Sequence, residues 1–266
     1  MPARTTRRPR ANPSGVHHLH SASVLRALVG SAALSPDDHV FDLGAGPGTL
    51  TAALARTGAT VTAVERDARF VRDLQRRFVR FGHVRIVRAD LRTVRIPRDA
   101  KIVANLPFAT SGALVARLLS PPGRLRAGMD LLVERGFAIR VSARRPRSAQ
   151  AAWWTARYDL RLVRSVPRTA FRPAPRVDAA ILRIRPRAAL DREGERRLEQ
   201  LLAAAYAAPQ ARAATIARRV AGSRSGRSAL REAGIEPGAA ALEVPPWVWA
   251  AVAGNARGPR RSEALA

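Results

Sequence analysis

Residues 39–48 read HVFDLGAGPG, a short apolar run followed by a turn that holds three glycines. The run predicts a buried strand, and GTLTAALART at 48–57 has the periodicity of a helix. Glycines at such a turn let the backbone turn tightly and approach a ligand closely. A glycine triplet alone is a weak signal because many strand-to-helix turns carry one. Its meaning therefore depends on what the neighbouring strands supply.

Strands and helices alternate on both sides of this turn. Further strands are predicted at 59–65, 83–90, 101–105 and 129–134, and helices at 22–34, 68–78, 111–119 and 135–143. Short apolar strands that alternate with amphipathic helices indicate a parallel sheet covered on both faces. Two later strands, 158–166 and 177–185, are joined by a proline-rich link without a clear helix. We therefore expect them to form an antiparallel hairpin that closes the sheet.

The pattern changes after Pro186, where helices separated by proline and glycine replace the alternation. They are predicted at 192–207, 211–222, 226–234 and 245–254. We expect a large α/β domain at 15–186, a small helical domain at 187–256 and a tail at 257–266. Residues 1–14 carry four arginines, three prolines and no acid, which is typical of a disordered basic arm.

The formal charge is +27, from 47 basic and 20 acidic residues, and Lys101 is the single lysine. A net charge of this size repels itself in the folded state and is best compensated by a polyanion. Arginine also binds phosphate through two parallel hydrogen bonds and stacks on bases. We interpret the charge as a sign of nucleic-acid binding, with a merely solvated basic surface as the alternative.

The composition also excludes several kinds of site. The chain has no cysteine, which rules out disulfides and thiolate chemistry and suits an intracellular protein. No apolar run approaches the roughly 18 residues of a membrane helix, and the N-terminus lacks the apolar stretch of a signal peptide. We expect a cytoplasmic protein with no membrane partner.

Acidic residues stand at three predicted strand ends. Glu65 ends the strand after the glycine turn, 17 residues beyond Gly48, where a carboxylate can bind both hydroxyls of a ribose. Asp90 ends the next strand, within reach of an adenine. A nicotinamide dinucleotide and S-adenosylmethionine both suit these acids. The spacing GxGxG and the acid Asp42 favour S-adenosylmethionine, because Asp42 suits a methionine ammonium better than a pyrophosphate. Helix capping or pairing with arginines is the structural alternative.

The strand KIVAN at 101–105 ends abruptly in Asn105-Leu106-Pro107-Phe108. The side-chain oxygen of Asn105 and the carbonyl of Leu106 can accept hydrogen bonds from an amino group, and Pro107 fixes the turn. Phe108 offers a face on which a base can stack, once the base has left its own stack. Two acceptors would localise the lone pair of an adenine N6, whose attack on a sulfonium methyl then needs mainly positioning and desolvation. A plain turn with Phe108 in the core is the alternative.

These features together resemble the Erm-type rRNA adenine-N6 methyltransferases and the related 16S rRNA adenine dimethyltransferases. The resemblance covers roughly residues 15–185 and depends on DLGAGPGTLT (42–51), Glu65, Asp90, NLPF (105–108) and FRPAPRVDAAIL (171–182). It implies an α/β, Rossmann-like class I methyltransferase sheet with a small all-helical C-terminal domain. It also implies S-adenosylmethionine as the donor and a methyltransferase domain at 15–186. RNA binding by 187–256 is expected from its charge, because residues 200–231 hold six arginines and no acid.

The resemblance implies the roles of individual residues as well. The catalytic residues would be Asn105, Leu106, Pro107 and Phe108. The cofactor-binding residues would be His17, Leu19, Gly44, Ala45, Gly46, Glu65, Arg66, Asp90, Leu91 and Asn105. One stretch departs from the family, which usually has Gly-Gln-Asn/His-Phe-Leu before the first helix. Here Val16 replaces the glutamine and His18 the aromatic, while His17 can fill the Asn/His position. No cysteine or carboxylate near these histidines completes a metal site, so we expect none.

Between the two subfamilies, the spelling NLPF, the arginine-rich arm and the region from Trp153 to Pro167 favour the Erm type. The expected substrate is then 23S rRNA, and the expected consequence is resistance to macrolides, lincosamides and streptogramins. A 16S rRNA dimethyltransferase and a non-catalytic RNA-binding protein on the same fold are the alternatives. A third hypothesis, a nicotinamide oxidoreductase, is disfavoured because this chain has no obvious acid–base residue near the NLPF turn. We expect a monomer.

Overall fold

A computed structural model describes residues 17–119, 127–187, 189–221, 223–236 and 238–254. Its strands are β1 (His18–Leu19), β2 (His39–Leu43), β3 (Thr60–Glu65), β4 (Val84–Arg88), β5 (Lys101–Asn105), β6 (Met129–Glu134), β7 (Tyr158–Val166), β8 (Phe171–Arg172) and β9 (Ala179–Pro186). Its helices are α1 (Ala22–Ala32), α2 (Thr49–Ala55), α3 (Ala68–Phe78), α4 (Phe108–Leu119), α5 (Arg135–Val141), α6 (Ala149–Arg157), α7 (Arg192–Ala207), α8 (Ala213–Ala221), α9 (Ser223–Glu232) and α10 (Pro246–Ala253). The predicted arm (1–14), the predicted tail (257–266) and Val16 lie outside the described residues.

Seven of the described strands form one sheet in the order β4-β3-β2-β5-β6-β9-β7. The pairs from β4 to β6 are parallel, and β9 runs antiparallel to both β6 and β7. Because β9 is antiparallel to both of its neighbours, β6 and β7 run in the same direction. The carboxyl end of β7 therefore lies at the edge where β2, β3, β5 and β6 also end. The predicted parallel sheet and its closing hairpin are confirmed.

The central strands are apolar on both faces, as a sheet covered on two sides requires. Val61, Ala63 and Val64 of β3 are fully buried, as are Ile102 and Val103 of β5. Val64 and Ile102 belong to one large apolar cluster and Val61 and Val103 to another on the opposite face of the sheet, while Ala63 packs in a smaller cluster with Leu74 and Phe78. The continuous apolar character of these strands therefore correctly indicated that both faces of the sheet are buried.

Helix α3 follows directly after the end of β3 and shows how local sequence fixes the geometry. Asp67 accepts a hydrogen bond from the backbone N–H of Arg69 at 2.8 Å, which caps the helix. Val71, Leu74 and Phe78 are buried along one face of the helix. Their spacing of three and four residues places them toward the sheet while the charged face stays outside.

Two helices of the α/β region differ clearly from the sequence-based assignment. Helix α4 begins at Phe108, three residues before the predicted start, so the NLPF turn runs straight into the helix. Helix α6 was not predicted at all. The Ser148 side chain accepts a hydrogen bond from Ala151 N at 3.3 Å and caps α6, and the buried side chains of Ala152 and Ala156 pack with the C-terminal helices. Packing against the C-terminal helices therefore stabilises α6, which the periodicity of the sequence did not predict.

The C-terminal helices surround a separate apolar cluster that includes Leu198, Leu201, Ile216, Val248 and Trp249. The helices predicted after Pro186 are confirmed, with α8 beginning two residues later and α9 three residues earlier than predicted. The boundary between the two predicted domains stays a prediction. None of the described helices is long and apolar enough to cross a membrane.

Candidate active site

A cavity of about 500 Å³ opens at the carboxyl ends of β2, β3 and β5. It brings together every residue predicted to bind the cofactor: His17, Leu19, Gly44, Ala45, Gly46, Glu65, Arg66, Asp90, Leu91 and Asn105. Leu106 and Pro107 also line it, and Phe108 is not among the described residues that do. The cavity lies where parallel sheets with helices on both faces bind their ligands, at the carboxyl ends of the strands.

The glycine turn forms one wall of the cavity and packs tightly against α3. Gly48 has a φ of +80°, a left-handed conformation that side chains disfavour, and a Cβ there would lie 2.5 Å from Leu74 Cδ2. Gly46 also has a positive φ of +52°, and a Cβ there would lie 3.4 Å from the His18 ring. The second and third glycines therefore allow the turn to lie close to its neighbours.

Glu65 ties the end of β3 to the glycine turn. Its Oε2 accepts a hydrogen bond from Gly46 N at 2.9 Å, and its Oε1 accepts from Arg66 N at 2.7 Å and Asp67 N at 2.9 Å. A carboxylate has about four acceptor positions, so three backbone donors leave capacity mainly on Oε2. The side chain is thus oriented by the backbone and keeps an acceptor position for a ligand hydroxyl.

Asp42 lies deeper, only 1% exposed, and accepts a hydrogen bond from Thr51 Oγ1 at 2.7 Å. The pKa of Asp42 is raised to about 7, because burial and the negative charge of Glu65 outweigh the lowering effect of the hydrogen bonds from Thr51. A cation bound in the cavity would favour the ionised form. Asp42 lines the cavity, and the role predicted for it, pairing with a ligand ammonium, stays a prediction.

Asp90 is already paired. Arg92 Nε donates to both carboxylate oxygens at 3.1 Å, Arg92 Nη2 donates to Oδ2 at 2.7 Å, and the backbone N–H of Arg92 donates to Oδ1 at 2.8 Å. The hydrogen bonds from the Arg92 side chain lower the pKa of Asp90 to about 2. Asp90 is therefore paired with an arginine, as the structural alternative in the sequence analysis proposed. It also lines the cavity.

Asn105 ends β5 at the mouth of the cavity and is held by the N-terminal segment. Its Nδ2 donates a hydrogen bond to the carbonyl of His17 at 2.8 Å. Within the described part of the chain no hydrogen bond reaches its Oδ1, which is the atom predicted to accept from an adenine amine. The amide therefore has a fixed orientation with an acceptor still available.

The segment that holds Asn105 is itself anchored twice. Strand β1 pairs antiparallel with β8, with Leu19 opposite Phe171. His17 Nδ1 forms a hydrogen bond of 2.7 Å with the carbonyl of Pro173. The proline-rich link after β8 and the segment before α1 therefore close the cavity together, a contact between residues more than 150 positions apart.

Phe108 lies beside the cavity. It is half-buried as the first residue of α4, with its ring centroid 6.0 Å from Phe171 and 5.7 Å from His17. The role predicted for it, stacking with a base, stays a prediction. The ring is fixed by neighbours on two sides, which is what a stacking surface needs.

Sequence reasoning missed several residues that line the cavity. Phe70, Arg69, Arg92 and Pro173 belong to this group. Phe70 contacts His18 edge to face at 5.8 Å, so the histidine that replaces the family's aromatic residue still packs against a ring. Phe70 lies in the first turn of the helix that follows Glu65, and this position was a signal that could have identified it. Across the described residues, no group of three histidines or acids is placed to hold a metal ion.

Comparisons with known proteins agree with this architecture. Residues 11–218 match the family model described as ribosomal RNA adenine dimethylase. An rRNA adenine N-6-methyltransferase of Bacillus licheniformis is 31% identical over 174 residues, which are 65% of this chain and 61% of that relative. The chain thus spans less than two thirds of that relative's length.

A ribosomal RNA small subunit methyltransferase A of Synechococcus sp. strain RCC307 is 36% identical over 216 residues, 73% of this chain and 77% of the relative. The crystal structure of the 23S rRNA methyltransferase ErmE superposes with a TM-score of 0.72 and 26% identity, covering 88% of this chain and 97% of that one. These relatives are methyltransferases by name, the class of enzyme that the sequence predicted, and the Rossmann-like fold and the resemblance are confirmed. The chain belongs to the ribosomal RNA adenine dimethylase family.

Proposed function

We propose that this protein transfers a methyl group from S-adenosylmethionine to N6 of an adenine in ribosomal RNA. The observation that carries the proposal is the position of Asn105 at the mouth of a cavity whose other walls carry Asp42, Glu65 and Asp90. An amide acceptor for an amino group thus borders a site with carboxylates for an ammonium, a ribose and an adenine.

The residues of the cavity suit S-adenosylmethionine, which supplies an electrophilic methyl group when bound. Asp42 would hold the ammonium, the remaining acceptor position of Glu65 the ribose, and Asp90 the adenine amine. The turn around Gly44, Ala45 and Gly46 would contact the methionine part, and His17, Leu19, Arg66, Leu91 and Asn105 would complete the site. Arg92 competes for Asp90, so binding of an adenine there requires this side chain to share the carboxylate.

The chain's own residues would then orient the acceptor. Asn105 Oδ1 accepts a hydrogen bond from the adenine amine and favours a tetrahedral nitrogen with a localised lone pair. Because Asn105 Nδ2 is bound to the His17 carbonyl, the amide cannot rotate without losing that bond. The Leu106 carbonyl would supply a second acceptor, Pro107 would fix the turn, and Phe108 would stack on the extruded base.

We further propose that the RNA is 23S rRNA and that its methylation protects ribosomes from macrolides, lincosamides and streptogramins. The similarity to ErmE over 88% of the chain supports this choice. The helical region at 187–256 would contribute to RNA binding, and the protein would act as a monomer in the cytoplasm, where ribosomes are. The 36% identity to the small subunit methyltransferase of Synechococcus favours 16S rRNA as the second candidate.

The test is transfer of labelled methyl from S-adenosylmethionine to 23S and 16S rRNA transcripts by the purified protein. We expect label in 23S rRNA, at an adenine that mass spectrometry identifies by its N6-methyl group. Label in 16S rRNA alone would support the second candidate. Asn105→Ala should abolish transfer while the donor still binds in calorimetry, and Gln75→Ala, which removes an exposed amide on α3, should leave both unchanged. Transfer by the Asn105→Ala protein would contradict the role of the amide.

A further inference from the structure

The strand order divides the catalytic edge of the sheet into two halves. The donor cavity lies over β2, β3 and β5, and the residues after β4 add Asp90 to it. On the other side of β5 the edge continues through β6, β9 and β7. Asn105 stands at the border between the halves. With the donor on one side, the RNA that carries the target adenine must lie over the other side.

Five exposed arginines stand on that second half. Arg135 directly follows β6, Arg164 lies near the end of β7, and three more are in the link between β7 and β9. We call this set the arginine rim: Arg135, Arg164, Arg168, Arg172 and Arg176.

The register places the arginine rim close to the proposed target site. Asn105 is opposite Leu132 of β6, Leu132 is opposite Ile181 of β9, and Ile181 is opposite Arg164 of β7. Three strand spacings separate the backbone of Asn105 from that of Arg164, a distance of about 14 Å. Arg172 directly precedes Pro173 in sequence, and Pro173 lines the cavity.

The rim arginines differ in their partners from three arginines of the donor half. Near the donor cavity and on α3, Arg69, Arg76 and Arg92 form ion pairs with Asp67, Asp73 and Asp90. In the part of the chain that the structure describes, no rim arginine forms an ion pair.

Other hydrogen bonds orient two of the rim side chains. Arg135 Nε donates to Ser165 Oγ at 3.2 Å, and Arg164 Nη1 donates to the Ser23 carbonyl at 3.4 Å. Two carboxylates lie among the rim. Asp178 Oδ1 accepts the backbone N–H of Arg168 at 2.9 Å, and Glu134 precedes Arg135 in the chain. The five rim arginines outnumber these two acids, which leaves an excess of positive charge beside the proposed target site.

We propose that the arginine rim binds the backbone phosphates of the RNA strand that carries the target adenine. The inference rests on the proposed function, because it takes Asn105 as the position of the target base. Guanidinium groups without carboxylate partners can each form paired hydrogen bonds with a phosphate, at no cost of breaking an ion pair. The rim would hold the strand on both sides of the extruded base, and the donor would enter from the opposite half.

The test compares two triple variants that lose the same charge. One is Arg164→Ala/Arg168→Ala/Arg172→Ala in the rim. The control is Arg56→Ala/Arg80→Ala/Arg98→Ala. These exposed residues follow α2, follow α3 and precede β5, so they lie at the opposite edge of the sheet. The probe is a fluorescent RNA hairpin with one unpaired adenine in its loop, measured by anisotropy over a series of KCl concentrations.

Each phosphate contact to a single strand contributes about 0.7 to the slope of log affinity against log salt. We expect the rim variant to lose about 2 units of slope and at least tenfold in affinity at moderate salt, and the control variant to keep the wild-type slope. Both should bind the donor as the wild type does in calorimetry. Equal loss in the two variants, or none in the rim variant, would overturn the inference.

Methyl transfer measured on the same proteins separates this inference from the proposed function. If the wild type methylates rRNA and the two variants bind the hairpin alike, the rim is overturned while the proposed function stands. If the wild type methylates no rRNA but only the rim variant loses affinity, the proposed function fails and phosphate binding by the rim is supported.

Discussion

Replacement of Gly48 by alanine separates two physical effects at the glycine turn. The residue has a φ of +80°, and an added Cβ would lie 2.5 Å from Leu74 Cδ2 and 3.2 Å from Phe78 Cε2. Leu74 is only 1% exposed and packs with Phe78, Ala45 and Ala63, so it has little room to move. Gly48→Ala therefore adds backbone strain and a steric clash at once.

Two other glycines provide matched controls. Gly234 has a φ of +70° with nothing within 4 Å of an added Cβ, so alanine there adds backbone strain alone. Gly30 lies within α1, has no positive φ and has nothing within 4 Å of an added Cβ, so it has neither effect. The loss of unfolded-state entropy is common to all three substitutions and cancels in the comparison.

The expected free energies of unfolding follow from these differences. Left-handed strain costs about 1–2 kcal/mol for a side chain, so Gly234→Ala should be less stable than Gly30→Ala by about that amount. Overpacking costs about 1–3 kcal/mol more, so Gly48→Ala should be less stable than Gly30→Ala by roughly 2–5 kcal/mol. Gly30→Ala should gain about 0.5–1 kcal/mol because glycine is a poor helix residue.

Urea denaturation followed by circular dichroism measures the three values under the same conditions. Calorimetry with the donor adds a second measure, since displacement of Leu74 would move the turn that lines the cavity. We expect weaker donor binding for Gly48→Ala and unchanged binding for the two controls. A Gly48→Ala protein as stable as Gly234→Ala would show that the clash is relieved without cost, and the packing argument would be wrong.

Three further predictions concern single side chains. The folded pKa of Asp42 is raised to about 7 and its unfolded pKa is near 4, so between these values the native state binds a proton that the unfolded state has lost, and the free energy of unfolding should fall as pH rises from 4 to 7. Relative to Asp42→Asn, urea denaturation should show a loss of up to about 4 kcal/mol over this range. A difference between the two proteins that stays constant with pH would contradict the prediction. Arg92→Ala should raise the pKa of Asp90 from about 2 toward 3.8 in a carbon NMR titration, whereas Arg95→Ala should not. His17→Ala removes the hydrogen bond with the Pro173 carbonyl, which contributes about 0.5–1.5 kcal/mol, so donor binding should weaken about two- to tenfold in calorimetry. Alanine at the exposed His20 should leave donor binding unchanged.

Much of the site could be predicted because parallel strands end at one edge of a sheet. Glu65 and Asn105 are each the last residue of a strand, and Asp90 follows close behind another, so their convergence needed only the strand assignment. The pairing of β1 with β8 could not be predicted in this way. Each strand has two residues, too few for a periodicity, and the partners lie far apart in sequence. The pairing of Arg92 with Asp90 and the half-buried position of Phe108 likewise depend on neighbours that a linear pattern does not identify.

The hairpin that closes the sheet also leaves an exposed link beside the cavity, where the proposed RNA substrate could bind. Had β7 joined β6 directly in parallel, the residues after β7 would lead into a helix that covers a face of the sheet. Instead β7 runs to the catalytic edge, and the chain turns there before β9 returns between β6 and β7. The link between them therefore remains at that edge, exposed and beside Asn105. Its Pro173 contacts His17, which holds Asn105, while Arg168 and Arg172 stay exposed. One segment thus lines the cavity and presents the proposed phosphate contacts, so RNA bound on the rim would act directly on the residues proposed to orient the target amine.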